Sequence, residues 1–457
     1  MGMKEYDAIV IGFGKAGKTL APDMASRGLK VALVEKSPQM YGGTCINVGC
    51  IPSKSLVASS REAVIRNSLD WAEKQAFYKQ AVEEKNRLTA MLRQKNYDRV
   101  AAAGVDIYDG EASFAGDNQV EVQNGGKSEI LTAPKIFINT GAAPFLPPIK
   151  GIDGSLVYTS ETLMNLEKLP ETLVILGGGY IGLEFASIYA GFGSKVIILQ
   201  DQPVFLPRED EDIAAEIKKV MEGEGVEFQL GVKVKAFVED GNKVRADYVD
   251  ASGNRREIVA DAVLAAAGRR PNTSGLNLEK AHVKLNEFGG IEVDETLQTS
   301  NPGVWALGDV NGGLQFTYVS LDDYRIVRSR LFGDKGYDLH KRKNVPYSVF
   351  ITPPYSRVGL NEKEARAAGA DFKVLKLPVA AFPKAHVYKD TRGIMKVLVD
   401  KKGGRLLGAM LFCAESPELI NFLKLTMDKD VSVSELRDNI YTHPTMSEAF
   451  NDLFSLV

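Results

Sequence analysis

At 457 residues, 44% hydrophobic and 25% charged, the chain has a globular composition and is too long for one core, so about two to four domains are expected. Lys and Arg number 56 against 59 Asp and Glu, a net charge of −3, which excludes the basic footprint of a nucleic-acid partner. No export signal is visible, and position 6 is Tyr where myristoylation of Gly2 would want Ser or Thr. The longest apolar tract, 172–193, holds three consecutive glycines and Glu184, which argues against a membrane span. The expectation is a soluble, cytoplasmic protein with no membrane partner.

Residues 6–11 form an apolar run, and Gly12-Phe13-Gly14-Lys15-Ala16-Gly17 then opens a helical stretch through Arg27. A second run, 30–34, ends at Glu35, 18 residues past Gly17. Strand, glycine turn, helix, strand and acid in this order make a dinucleotide-binding unit. Gly12 permits the tight turn, Gly14 lets backbone approach a pyrophosphate, and Gly17 lets helix sit close to sheet. The helix N-terminus offers free N–H groups to the phosphates, and Glu35 can accept from ribose hydroxyls.

The stretch Gly42-Gly43-Thr44-Cys45-Ile46-Asn47-Val48-Gly49-Cys50-Ile51-Pro52-Ser53-Lys54 follows, with two of the chain's three cysteines. A close pair in a cytosolic protein is more often catalytic or metal-binding than structural. Zinc needs about four ligands, and Cys413, His282, His340, His386 and His443 are scattered, so no metal is expected. A redox-active dithiol remains. Cys413 lies in an apolar run and reads as core packing.

Residues 61–103 look helical, with Glu73, Glu83, Glu84, Lys85 and Arg87 on a solvated face. Residues 106–132 alternate like a small antiparallel sheet. The strand 135–139 leads into Thr140-Gly141, and Pro144, Pro147 and Pro148 read as a linker. The nucleotide unit then recurs: 172–176 is apolar, Gly177-Gly178-Gly179-Tyr180-Ile181-Gly182 turns, a helix follows, and 195–199 leads to Gln200, again 18 residues past the third glycine. The run 262–268 ends at Gly268 and closes this unit, and 304–309 is a buried strand ending in Gly308-Asp309. Beyond residue 346 the pattern changes to strands at 357–360, 372–377, 394–400 and 405–413 with helices at 417–427 and 434–439. Two nucleotide units around a dithiol imply two cofactors, because a flavin can pass electrons from a nicotinamide to a disulfide and protein alone cannot.

Over essentially its whole length the sequence resembles the flavoprotein disulfide reductases. Their FAD fingerprint matches Gly12, Gly14, Gly17 and Glu35, their redox motif Cys45 and Cys50, and their flavin-ribityl motif Gly308 and Asp309. Their nicotinamide fingerprint matches Gly177, Gly179 and Gly182, and their C-terminal His-Pro-Thr…Glu matches His443, Pro444, Thr445 and Glu448. The resemblance implies an α/β fold of two Rossmann-like nucleotide-binding domains plus a C-terminal α+β dimerisation domain. FAD would be held by 1–150 and 273–345, NADH or NADPH by 151–272, and 346–457 would dimerise. Gly43, Thr44, Lys54 and Gly141 would join the FAD site; Tyr180, Ile181, Gln200 and Gly268 would complete the cofactor sites. Cys50 would be the charge-transfer thiol, Cys45 the interchange thiol, Lys54 and Glu184 a pair beside the flavin, and His443, held by Glu448, an acid/base reaching the dithiol of the other subunit of a homodimer.

Within the family, Cys-Ile-Pro-Ser-Lys suits dihydrolipoamide dehydrogenase and mercuric reductase. The last six residues hold no cysteine, unlike mercuric reductase, and Tyr318 stands where dihydrolipoamide dehydrogenase has the His of an Ala-His pair. Residues 12–21, 312–320, 343–359 and 443–457 resemble the bacterial reactive-chlorine-resistance flavoproteins, which implies reduction of a small oxidant such as hypothiocyanous acid, and of Cu(II). Dihydrolipoamide dehydrogenase is the alternative, and a non-catalytic flavin-binding protein the alternative of another class. Nicotinamide preference stays open, since Gln200-Asp201 disfavours a 2′-phosphate and Arg208 favours one.

Overall fold

The structure, a computed structural model, describes residues 3–66 and 69–457; the myristoylation reading of Gly2 lies outside them. Two five-stranded parallel sheets carry the two glycine turns. The first runs in the order Val304–Ala306, Ile136–Ile138, Ala8–Ile11, Val31–Glu35, Asp106–Asp109. Its inner strands are buried along their whole length, as a parallel sheet covered on both faces requires, and they therefore read as unbroken apolar runs. The second has the order Val157–Thr159, Ala262–Ala265, Thr172–Leu176, Lys195–Gln200, Val226–Leu230. Strands from both sides of residues 151–272 share the first sheet, so the chain leaves it, builds the second, and returns.

The C-terminal part is a five-stranded antiparallel sheet, Tyr347–Val349, Tyr355–Gly359, Leu406–Phe412, Ile394–Asp400, Phe372–Pro378, packed against helices Ser416–Asp428, Val433–Asp438 and Ala449–Phe454. Cys413 is fully buried in that core, and burial pushes its thiol up. One hydrophobic cluster joins all three parts: Leu56 and Val57 of helix Cys50–Ile65, Tyr78 of helix Trp71–Ala102, Tyr189 of helix Tyr180–Phe192, and Ile351, Tyr355 and Phe412. The dithiol helix is therefore fixed from three sides.

Three expectations change. Asp106–Asp109 belongs to the parallel sheet as an edge strand paired with Val31–Glu35, with Ile107 packed on one core cluster and Tyr108 on another. The antiparallel meander is Glu111–Gly116, Gln119–Asn124 and Lys127–Thr132. The supposed linker holds a strand, Ala142–Pro144, paired antiparallel with Arg269–Pro271. Lys85 is not solvated: it is 2% exposed, and its ammonium donates to the Met164 carbonyl at 2.6 Å and to Asn165 Oδ1 at 2.8 Å. Burial lowers its pKa to about 8.

Candidate active site

The first glycine turn is shaped by contacts within the protein. Gly12 adopts φ +101°, and a Cβ there would meet the Asn139 carbonyl oxygen at 2.4 Å. A Cβ on Gly17 would meet the Gly12 carbonyl oxygen at 2.5 Å, and one on Gly14 would meet Asn139 Oδ1 at 2.4 Å. The buried Asn139 accepts from Gly17 N–H at 2.9 Å and donates to the Leu307 carbonyl at 2.6 Å, tying the turn to Gly308. Glu35 is buried and accepts from Phe13 N–H at 2.9 Å and from Ser37 N–H at 3.3 Å. Burial, opposed by those bonds, raises its pKa.

The second turn repeats the shape with less bracing. Gly177 adopts φ +107° with its missing Cβ 2.6 Å from the Ala266 carbonyl oxygen, and Gly182 packs on Gly177. Gln200 Oε1 accepts from Gly178 N–H at 2.6 Å, the counterpart of Glu35 on Phe13. At Gly179 no atom lies within 4 Å of a built Cβ. Tyr180 and Ile181 begin the following helix, which has no side-chain N-cap; neither does helix Gly17–Ala25. Two uncapped N-termini behind glycine turns fit two dinucleotide pyrophosphates.

Between the turns lies the dithiol. Gly42 and Gly43, at φ +97° and +75°, bring helix Thr44–Asn47 against the first turn, where a Cβ on Gly43 would sit 2.8 Å from Gly14 Cα. Gly49 rests on the Thr44 carbonyl, which closes the loop between the cysteines. Cys50 heads the 16-residue helix Cys50–Ile65, is exposed, and lies 3.5 Å from Thr317 Oγ1; Cys45 is half-buried. The neighbouring Cys45 thiol, then Thr317 and Lys54, lower the Cys50 pKa to about 6 against desolvation by the surrounding protein. The neighbouring Cys50, followed by burial, pushes the Cys45 thiol up. A helix N-terminus favours the thiolate further. Both shifts run in the direction that favours charge on Cys50 and a proton on Cys45.

Lys54, one turn beyond Cys50, pairs with Glu184 at 2.7 Å. The other Glu184 oxygen accepts from Phe350 N–H at 2.9 Å, and Lys54 Nζ lies 4.7 Å from the Phe350 ring centre. Gly308, at φ +73°, donates its N–H to buried Asp323 at 2.6 Å. Burial pushes the neighbouring Asp309 carboxyl up to about 6, with Arg269 opposing. Gly141 (φ +72°) and Gly268 (φ +122°) flank the ribbon and have open space where a Cβ would be.

Cys45, Cys50, Lys54 and Glu184 are brought together within one chain. His443 is not: its Nδ1 lies 2.9 Å from both Glu448 oxygens, its side chain is 68% exposed, and it is not among the groups that shift the two thiols. Tyr318 hydrogen-bonds to the Pro346 carbonyl at 2.5 Å; burial, then the Cys50 charge, raises its pKa, so the phenol stays protonated. The carboxylates Asp210, Asp212 and Glu362 form a group a cation could occupy, and the ammonium of Lys396 sits in it. Sequence reasoning missed Asn139, Thr317 and Phe350. For Asn139 alone there was a local signal, a polar residue ending a buried strand.

The pattern described as pyridine nucleotide-disulphide oxidoreductase matches residues 6–323, and that of its dimerisation domain matches 345–454. The chain is 49% identical over 457 residues, covering all of both chains, to the probable pyridine nucleotide-disulfide oxidoreductase RclA of Escherichia coli. It is 34% identical to the dihydrolipoyl dehydrogenase of Mycobacterium tuberculosis, covering 99% of this chain and 98% of that one. It is also 34% identical to a mercuric reductase of Staphylococcus aureus, covering 97% and 81%. Among solved structures it is similar to the Cu(II) complex of the HOCl-induced flavoprotein disulfide reductase RclA from Escherichia coli, with TM-score 0.94, 48% identity and full coverage of both chains. Among the described residues no helix is long and apolar enough to cross a membrane.

Proposed function

The chain belongs to the pyridine nucleotide-disulphide oxidoreductases, enzymes that use FAD and NAD(P)H, and from that premise we propose that it reduces a small electrophilic oxidant, hypothiocyanous acid, in oxidant defence. Residues 1–150 and 273–345 hold FAD through Gly12, Gly14, Gly17, Glu35 and Asp309. Residues 151–272 hold the nicotinamide nucleotide, and 346–457 form a homodimer interface, in keeping with the match to a dimerisation domain. When bound, FAD supplies the two-electron link between nicotinamide and disulfide. Lys54, paired with Glu184, places a fixed cation beside it.

The observation that carries the reading is the dithiol at the head of helix Cys50–Ile65, where the helix N-terminus, Thr317 and Lys54 gather on Cys50 and favour charge there, leaving the proton on Cys45. Cys45 must lose its proton before it can attack, and the partner's His443, held by Glu448, is the acceptor. The Cys45 sulfur then attacks the sulfur of hypothiocyanous acid and hydroxide leaves. His443 returns the proton, so water is the product; such assistance is typically worth ~10²–10⁴-fold. The Cys50 thiolate attacks Cys45 of the Cys45–SCN adduct and expels thiocyanate, a weakly basic leaving group. One oxidant consumes two electrons and yields water, thiocyanate and the Cys45–Cys50 disulfide.

The similarity to a structure whose description names HOCl induction supports this class of substrate. Tyr318 supports it over lipoamide, since its hydroxyl is tied to Pro346 where the lipoamide enzymes have a histidine. The Cu(II) named in the same description favours a second activity, Cu(II) reduction, because two sulfurs are soft ligands for copper. The test compares oxidation of NADH and NADPH with hypothiocyanous acid, lipoamide, glutathione disulfide and Cu(II). Hypothiocyanous acid is expected to exceed lipoamide by at least about tenfold in kcat/KM, roughly 1.4 kcal/mol in barrier. Faster turnover of lipoamide would make the protein a dihydrolipoamide dehydrogenase.

A further inference from the structure

Two lysines flank the dithiol, and they differ in what balances their charge. The charge of Lys54 favours a Cys50 thiolate and is neutralised by Glu184 at 2.7 Å. The charge of Lys18 favours a Cys45 thiolate. Lys18 is the second residue of helix Gly17–Ala25, directly behind the first glycine turn. Its side chain is half-buried, and the ammonium donates to the Gly42 carbonyl at 3.0 Å, three residues before Cys45. The other charges that act on it are those of Lys15 and Arg99, and among the described residues no carboxylate joins them. Burial, then Lys15, lowers its pKa to about 8 with Cys45 opposing, so the ammonium is charged at neutral pH.

The loop that carries Cys45 gathers further positive charge. Arg93 Nε donates to Asn47 Oδ1 at 2.8 Å and its Nη1 to Gln39, so both acceptors are neutral. The first glycine turn with its helix, and the end of helix Trp71–Ala102, thus bring Lys15, Lys18, Arg93 and Arg99 around the Cys45 side of the dithiol. A recess lined by one sign of charge concentrates ions of the opposite sign and raises their encounter rate. The Cys50 side, where Lys54 and Glu184 cancel, carries no such bias.

We propose that Lys18 is a specificity-determining residue, whose ammonium draws anionic oxidants to Cys45 in preference to neutral ones. The inference rests on the reading of Cys45 as the thiol that meets a small oxidant, and it narrows that class to anions. Hypothiocyanous acid exists largely as hypothiocyanite at neutral pH, so the ion that Lys18 attracts is the abundant form. The bound anion takes one proton from solvent to become the acid, whose reaction then balances as given above. Lys18 enters only as a charge.

The test alkylates the reduced, FAD-loaded dimer at pH 7 with iodoacetate, an anion, and with iodoacetamide, a neutral reagent of nearly the same size. The readout is the ratio of the two rates at Cys45, located by peptide mass, in which any common change in thiolate content cancels. Lys18→Met is expected to lower the iodoacetate-to-iodoacetamide ratio at least about fivefold. Lys18→Arg, which keeps the charge, should hold the ratio within about twofold. Rising salt should lower the ratio in the unaltered protein, and kcat/KM for hypothiocyanite should fall in Lys18→Met by at least about the same factor as the ratio. A smaller fall of the ratio in Lys18→Met, or an equal fall in Lys18→Arg, would overturn the inference. So would a hypothiocyanite turnover that holds in Lys18→Met, since the oxidant would then arrive neutral. Loss of bound FAD in Lys18→Met also overturns it, by making the lysine a holder of flavin phosphates. If Lys18→Met fails to fold, the salt series decides, because a ratio indifferent to salt sinks the preference for anions. The two levels fail differently: no alkylation at Cys45 sinks its reading as the thiol that meets the oxidant, whereas alkylation there with an unmoved ratio sinks only the role of Lys18.

Discussion

The two glycine turns share a backbone and differ in what surrounds it. In the first, Asn139 fills the space beside Gly14 and Gly17, Ser320 Oγ accepts from Ala16 N–H at 3.2 Å, and a buried carboxylate, Glu35, closes the turn. In the second, Gly179 borders open space and the closing residue is a neutral amide, Gln200. A turn braced by the protein's own buried groups suits a cofactor that stays. A turn left open suits a nucleotide that arrives and departs each cycle. On the proposed assignment, tertiary contacts put the same local sequence pattern to two uses.

The largest expected effect separates the two turns at Asn139. Asn139→Ala leaves Gly17 N–H and the Leu307 carbonyl buried without their partner; at ~1–3 kcal/mol for each orphaned group, a loss of ~2–6 kcal/mol is expected. Denaturant unfolding, read together with bound flavin per chain, checks this; full FAD content at unchanged stability would erase the distinction. Next comes a matched pair. Gly14→Ala drives a methyl into Asn139 and should cost ~1–3 kcal/mol of stability. Gly179→Ala, at φ −76° with open space, should change stability by less than ~0.5 kcal/mol while raising the nucleotide KM. Equal melting shifts in the two variants would contradict the comparison.

The smallest expected effect concerns charge at the closing residue. Gln200→Glu places a carboxylate where a 2′-phosphate would come, and should shift the NADH to NADPH ratio of kcat/KM toward NADH by ~5-fold, about 1 kcal/mol. A shift toward NADPH would mean that Gln200 does not face the ribose.

What could be read from the sequence was what is contiguous in it. Each glycine turn, the Cys45–Cys50 stretch and the His443–Glu448 pair are short-range patterns, because turn geometry and helix periodicity act over a few residues. Their settings came from far away. Asn139 meets Gly17 across 122 residues, Phe350 meets Glu184 across 166, and Tyr347 meets Glu209 across 138. No local period marks such pairs. Lys85 departs from its expected exposure for a related reason: its charged neighbours Glu83, Glu84 and Arg87 are exposed, and only the distant 3-10 turn Leu163–Asn165 shows why a lysine is tolerated inside. Asp106–Asp109 directly precedes the antiparallel strands, whereas its pairing partner Val31–Glu35 is distant in sequence, so nothing local marks it as part of the parallel sheet.

The central claim is that the two cysteines are unequal, with Cys50 the resting thiolate and Cys45 the protonated thiol that meets the oxidant. The most direct measurement is a pH titration of the long-wavelength absorbance of the FAD-loaded protein after two-electron reduction, in which a thiolate against the flavin gives a charge-transfer band. A thiol with a lowered pKa is charged above that value, so the band should be present above about pH 6 and fade below it. Cys45→Ser, which keeps a hydroxyl donor, should retain the band, and Cys50→Ser should abolish it. A band that survives Cys50→Ser and vanishes in Cys45→Ser would reverse the two roles and contradict the mechanism.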